Sequence, residues 1–218
     1  MTNLQRDIRN WWNTHPMVYD WKKTLQVDDG NPQFFAEIDR RFFEADFFAQ
    51  RPGEAPFSNL IDYRGLKDRK VLEIGCGAGA LAAIFSKQGV LITAVDLTWQ
   101  AARYTKRRFD VNKLKGNILQ MDAETPGFKD ASFDFIWSWG VIHHSEDTQR
   151  IVSEIYRVLK PGGKAAIMVY NRNSIHFWIN LVIIRGILCA KLITHSVQEI
   201  CNRYCDGLIA KYYTPEQI

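Results

Sequence analysis

The 218-residue chain is poor in cysteine, in net charge and in uninterrupted apolar sequence. Its four cysteines, Cys76, Cys189, Cys201 and Cys205, follow no zinc-ligand spacing. Cys201 and Cys205 lie one helical turn apart, but such a pair does not complete a metal site, so no metal is expected. Free thiols point to a reducing, cytoplasmic setting. A formal charge of +4 does not by itself imply a nucleic-acid partner. The start, MTNLQRDIRNWW, is charged and lacks the apolar centre of a signal peptide. No internal repeat or low-complexity tract is present, which excludes solenoids and disordered arrays.

What is present is ordinary globular material. Hydrophobic residues make up 46% and charged residues 24%, enough for one domain with a full core and a cap. Residues 1–65 are aromatic-rich and read as helical. Phe34, Phe35, Ile38, Phe42, Phe43, Phe47 and Phe48 recur at mostly helical spacing and predict one amphipathic helix with a wide apolar face. From residue 66 to 171, apolar runs alternate with helical patterns. Strands are expected at 71–74, 91–95, 117–120, 133–138 and 164–170, with helices from Thr98 to about Val111 and over 147–159. That alternation specifies an α/β fold with a doubly wound, mainly parallel sheet and helices on both faces.

Residues 71–80, VLEIGCGAGA, carry the most chemical information. A buried strand runs into Gly75, Gly77 and Gly79, and a helix follows at once. This is the layout of a nucleotide-type site. Glu73, two residues before the first glycine, would repel a pyrophosphate. It would accept a cationic nucleoside that carries an amino acid. Asp96 ends the second strand some 20 residues on, where an acid can take both ribose hydroxyls.

These segments, with ILQMDAE, FDFIWSWGVIHH and VLKPGGKAAIMVY in order behind ITAVDL, resemble the class I S-adenosylmethionine-dependent methyltransferases, small-molecule branch. That branch includes ubiquinone and menaquinone C-methyltransferases and natural-product enzymes. The resemblance covers roughly residues 66–171 and implies a Rossmann-like core. It implies that Glu73, Gly75, Cys76 and Gly77 hold the methionine moiety, and that Asp96 and Leu97 hold the ribose and adenine. Asp122 and Ala123 would complete the adenine contacts, while Ser138, Trp139 and Gly140 would line the transferable methyl. The expected cofactor is S-adenosyl-L-methionine, with S-adenosyl-L-homocysteine as product. The expected acceptor is a small apolar or aromatic molecule methylated on oxygen, nitrogen or carbon. A nicotinamide-dependent oxidoreductase and a non-catalytic binding module are the competing classes.

His144, His143 and Tyr170 are the candidate catalytic residues, a histidine serving as base for an acceptor that must lose a proton. Asn171 is a further substrate contact. Trp11, Trp12, Tyr19 and Trp21 form a lid or pack as core, His15 reads as a surface or capping residue, and Asp20 is an alternative base. Arg103, Lys106, Arg107, Arg108, Lys113 and Lys115 read as a solvated helix face, so no nucleic acid is expected. The apolar stretch 175–194, within a C-terminal segment of residues 172–218, has three readings: a membrane span, a substrate cap or homodimer surface, or a peripheral membrane contact. Arg185 at mid-stretch counts against spanning. The family's last two strands are not found before Ile218, and Thr214-Pro215-Glu216-Gln217 opens a helix as the chain stops, so more chain is expected beyond it.

Overall fold

The computed structural model describes residues 1–19, 29 and 31–218. Helix α1 (Asn3–Thr14) is capped by the Thr2 side chain, and α2 (Pro32–Ala45) by Asn31 with proline in its first turn. The strands are β1 (Lys70–Ile74), β2 (Leu91–Asp96), β3 (Asn117–Gln120), β4 (Phe133–Trp139) and β5 (Leu159–Met168). Between them lie α3 (Ala80–Lys87), α4 (Trp99–Val111) and α5 (Thr148–Val158).

The sheet order is β3-β2-β1-β4-β5, and every pairing is parallel. The order reverses at β1, flanked by β2 and β4. Ligands of such sheets sit beyond the carboxyl ends of the strands at this switch point. Side chains alternate across the pleat. Val71, Ile92, Phe135 and Trp137 enter one core with Phe57 and Phe85. Leu72, Ile74, Val95 and Ile136 enter the other with Ile151, Ile155 and Val158 of α5.

Several expectations are corrected. The aromatic helix ends at Ala45; Phe47 and Phe48 follow in a 3-10 turn and are exposed, because only Phe34, Phe35, Ile38 and Phe42 keep to the inward face. The fifth strand leaves the sheet at Met168. Tyr170 and Asn171 form β6, paired in parallel with β7 (Tyr212–Tyr213). Arg108 is not on a solvated face. It is buried on α4 beside Ala101 and Thr105, and it donates from Nε to the Ala78 carbonyl at 2.6 Å and from Nη1 to Asp39 at 2.8 Å. It thereby ties α2 to the glycine turn.

After Asn171 comes a helix of wide, π-type winding, His176–Leu188, then α6 (Val197–Tyr204). Phe177 and Leu181 pack on Ile200 and Cys201. The opposite side exposes Trp178, Ile179, Ile184, Ile187 and Leu188. Among the described residues no helix is long and apolar enough to cross a membrane.

Candidate functional site

The site begins where β1 turns. Gly75 has φ +77°, and a Cβ there would overlap the Val141 side chain, so only glycine fits. Gly75 N–H and Cys76 N–H both donate to the Val95 carbonyl, at 2.8 and 3.1 Å. Gly77 N–H donates to Asp96 Oδ2 at 3.1 Å, and a Cβ on Gly77 would meet nothing within 4 Å. The turn is therefore clamped to the end of β2 and open on its ligand side.

Glu73 sits in β1 at 5% exposure, and among the described residues its Oε2 has no hydrogen-bond partner. Burial, followed by the nearby Asp96 carboxylate, pushes its carboxyl up to about 8. A buried carboxyl with a free oxygen needs a cation or a donor to ionise. Asp96 is also raised by burial, against three hydrogen bonds that favour its charge. Two come from Thr98, N–H at 2.9 Å and Oγ1 at 2.8 Å, the third from Gly77. Burial pushes the Cys76 thiol up, and Thr105 Oγ1 lies 3.4 Å from its sulfur, so this cysteine is a wall rather than a nucleophile.

A cavity of about 320 Å³ opens in front of the turn. It brings together Glu73, Gly75, Cys76, Gly77, Asp96, Leu97, Asp122, Ala123, Trp139, Gly140, His144 and Tyr170. Asp122 Oδ1 accepts from Gln5 Nε2 of α1 and from Glu124 N–H, each at 3.0 Å. Trp139 stacks on Trp137 at 4.9 Å and donates from Nε1 to Asp46 at 3.1 Å.

The two histidines differ. His144 Nδ1 lies 2.6 Å from the Ile209 carbonyl. A carbonyl only accepts, so Nδ1 carries the proton and Nε2 keeps its lone pair. Burial lowers the His144 basicity, which keeps the ring neutral at pH 7. His143 does not line the cavity. It is fully buried, neither ring nitrogen has a partner, and its ring packs on Tyr170 at 3.9 Å. Ser138 is likewise buried away from the cavity.

Residues 72–167 match the family model described as a methyltransferase domain. Over those residues the chain is similar to methyltransferase domains. A ubiquinone biosynthesis O-methyltransferase of Coxiella burnetii is 32% identical over 108 residues, covering 50% of this chain and 46% of the relative. One of Rickettsia bellii is 28% identical over 161 residues, covering 72% and 60%. The chain thus spans about half the length of the curated relatives it matches. A SAM-dependent methyltransferase from Methanosarcina mazei aligns with a TM-score of 0.56 at 22% identity, covering 74% of this chain and 78% of that one, and shows the shared fold.

S-adenosylmethionine is the cofactor of methyltransferase domains of this type, and the cavity fits it on two counts. The unpartnered Glu73 oxygen suits an ammonium group, and the open side of Gly77 lets backbone approach the ligand. Other residues that line the cavity were not legible in sequence. Gln5 reaches it from α1 and Asp46 follows α2, while Trp12, expected as lid or core, lines it with its ring 5.1 Å from His144. Asp206 arrives from the loop after α6. Tyr19 lines the cavity, Trp11 does not, and His15 caps α1. Asp20 and Trp21 lie outside the described residues. No local motif marks Gln5, Asp46 or Asp206, because each is brought in by distant packing.

Proposed function

We propose that this chain binds S-adenosylmethionine and transfers its methyl group to a small apolar or aromatic acceptor. The carrying observation is Glu73, a buried carboxyl with a free oxygen beside the open glycine turn. In this reading Glu73 and the Gly75–Gly77 backbone hold the methionine ammonium and carboxylate. Asp96 takes a ribose hydroxyl through the Oδ2 lone pair not used by Gly77, Leu97 packs on the adenine, and Asp122 with the Ala123 backbone meets its polar edge. Trp139 and Gly140 border the methyl. The bound cofactor supplies a sulfonium methyl that an acceptor lone pair displaces in line, the broken S–C pair staying on sulfur.

The protein's share is alignment, exclusion of water and one proton. Orientation alone is worth roughly 7–11 kcal/mol in such displacements. The aromatic walls from Trp12, Trp139 and Tyr170 keep the cavity dry. His144 Nε2 takes the acceptor's proton, its other nitrogen being fixed by Ile209. Two relatives bear the name ubiquinone biosynthesis O-methyltransferase, which favours oxygen as the methylated atom.

The exposed apolar side of His176–Leu188 supports a second element of the reading, contact with a lipid surface from which an apolar acceptor is drawn. No acidic residue lies between Glu154 and Glu199, while Arg172, Arg185 and Lys191 do, which suits anionic headgroups.

Titration calorimetry with S-adenosylhomocysteine and with NAD tests the cofactor. Binding of the first and not the second is expected, and binding of NAD alone overturns the reading. A labelled-methyl screen over phenols, quinones and amines then identifies the acceptor class.

A further inference from the structure

A second, more open cavity of about 430 Å³ adjoins the first. Tyr170 and Asp206 line both cavities, and Tyr204, Cys205, Tyr212 and His176 line the second. Tyr170 and Tyr212 stack at 5.1 Å, and Cys205 Sγ lies 3.1 Å from the Tyr212 hydroxyl. The second cavity therefore has aromatic walls and meets the first at Tyr170, beside His144.

Charge around the joined cavities is one-sided. Among the described residues no Lys or Arg lines either one. Arg185 stacks on the Tyr204 ring at 4.5 Å and Arg172 lies over Phe177 at 5.8 Å, but neither reaches the cavity surface. His176 on the second wall is a further nitrogen base.

Asp206 is the group at the junction without an assigned task. Its side chain is exposed and makes no hydrogen bond or ion pair among the described residues. Its backbone is nevertheless pinned. Cys205 N–H bonds the Cys201 carbonyl at 3.0 Å. A Cβ on the neighbouring Gly207 would lie 2.7 Å from His144 Nδ1, so the loop presses directly on that ring. The negative charge of Asp206 bears on both His144 and Tyr170. An anionic acceptor group on a pinned backbone therefore stands beside the base, on an aromatic wall, with no lysine or arginine among the described lining residues to receive an acidic ligand.

We propose that the methyl acceptor is an uncharged or cationic aromatic molecule seated across Tyr170, between the two cavities, with Asp206 accepting a hydrogen bond from its hydroxyl or ammonium group. A carboxylate or phosphate on the acceptor is selected against, because Asp206 repels it and, among the described residues, no lysine or arginine on the cavity walls compensates. The proposal rests on the methyltransferase reading, and the test separates the two.

Protein saturated with S-adenosylhomocysteine is titrated with three phenols of one ring size: 4-ethylphenol, tyramine and 4-hydroxybenzoate. Tyramine and 4-ethylphenol are expected to bind at least about tenfold more tightly than 4-hydroxybenzoate, the scale of one hydrogen bond to a charged group. Asp206→Asn should shrink that ratio severalfold, and Asp206→Lys should reverse it. Because Asp206 is exposed, both variants keep the fold, which their melting temperatures check. Equal or tighter binding of 4-hydroxybenzoate, no binding of any probe, or an unchanged ratio in Asp206→Asn overturns the proposal. If S-adenosylhomocysteine itself does not bind, the methyltransferase reading falls first.

Discussion

Around one cavity, the strand-end wall and the C-terminal wall hold their polar groups by different means. At the strand ends, backbone does the holding. Gly75 and Cys76 bond the Val95 carbonyl, Gly77 and Thr98 bond Asp96, and a side chain at Gly75 would overlap Val141. On the C-terminal wall, side chains and a loop do it. His144 leans on the Ile209 carbonyl, Tyr170 on Tyr212, and Asp206 stands unbonded on a pinned loop. The first wall fixes one ligand shape and tolerates little change. The second can change its side chains without disturbing the turn, which is where acceptor preference is free to vary.

If the walls are separable, substitutions on each should move different quantities. The largest effect is expected at His144. His144→Gln should lower kcat by roughly 10²- to 10⁴-fold, the range for loss of a general base, while S-adenosylhomocysteine affinity stays within a factor of two or so. Burial lowers the imidazole's proton affinity below its usual 6.5. The wild-type kcat at saturating cofactor should therefore stay flat from pH 8 down to about 6.5 and fall only in more acidic solution. A rate already falling between pH 8 and 7 would remove His144 from the base role.

Next in size is Asp96→Ala on the strand wall. It takes away a charged acceptor for a ribose hydroxyl and unpairs Gly77 N–H and Thr98. Hydrogen bonds to a charged group are worth roughly 1.5–3 kcal/mol each, so cofactor affinity should fall roughly tenfold to a hundredfold. Calorimetry measures it directly. Unchanged affinity would mean that the cofactor lies elsewhere.

Glu73→Gln should produce a smaller change with opposite signs in stability and binding. The folded carboxyl is raised to about 8 from its ordinary 4.5. The folded state therefore keeps a proton that the unfolded chain has lost. Stability linked to this group is complete below pH 4.5 and is lost as pH rises towards 8. Glu73→Gln removes that loss and should stabilise the fold more at pH 8 than at pH 5, by on the order of 2–4 kcal/mol at pH 7, which the melting temperatures at the two pH values read. Cofactor affinity should fall about tenfold, because a neutral amide replaces the partner of the ammonium. Wild-type affinity should rise from pH 6 to pH 8 as the carboxyl ionises. A variant less stable than wild type at pH 8 would contradict the buried, unpaired state of Glu73.

The same contrast explains what the sequence disclosed. The strand wall was legible because its chemistry is local. An apolar run that ends in Gly75 permits only a strand and a left-handed turn, and Asp96 follows from the end of the next strand. Ser138 was misread because neighbouring residues within a strand face opposite sides of the sheet. The pleat sends Trp137 and Trp139 one way and Ser138 the other. Arg108 was misread because its charge masked its position: it continues the inward face of α4 with Ala101 and Thr105. Tyr170 was placed correctly at the cavity but on the wrong strand, since β5 leaves the sheet two residues earlier. Gln5, Asp46 and Asp206 carry no local signal. They reach the cavity through packing over long sequence separations, which one sequence does not encode in any short pattern.

The smallest expected effect sharpens the comparison from outside. Ile187 and Leu188 are 60% and 73% exposed on the outer side of the π-wound helix, away from the cavity lining. Folding does not need them there. Ile187→Glu should shift stability by no more than about 0.5 kcal/mol, as surface changes usually do, and leave S-adenosylhomocysteine affinity unaltered. It should weaken sedimentation with vesicles containing phosphatidylglycerol, because a carboxylate is placed among apolar groups flanked by Arg185 and Lys191. If vesicle binding persists and sedimentation velocity shows a dimer dissociating instead, the covered surface is a second copy of this chain. If cofactor affinity moves with Ile187, the two walls are mechanically coupled, because the helix packs through Phe177 on Tyr212 and through it on Tyr170. That ring chain is a direct route from the helix to the site, so Phe177→Leu in the same assay tests for coupling along it.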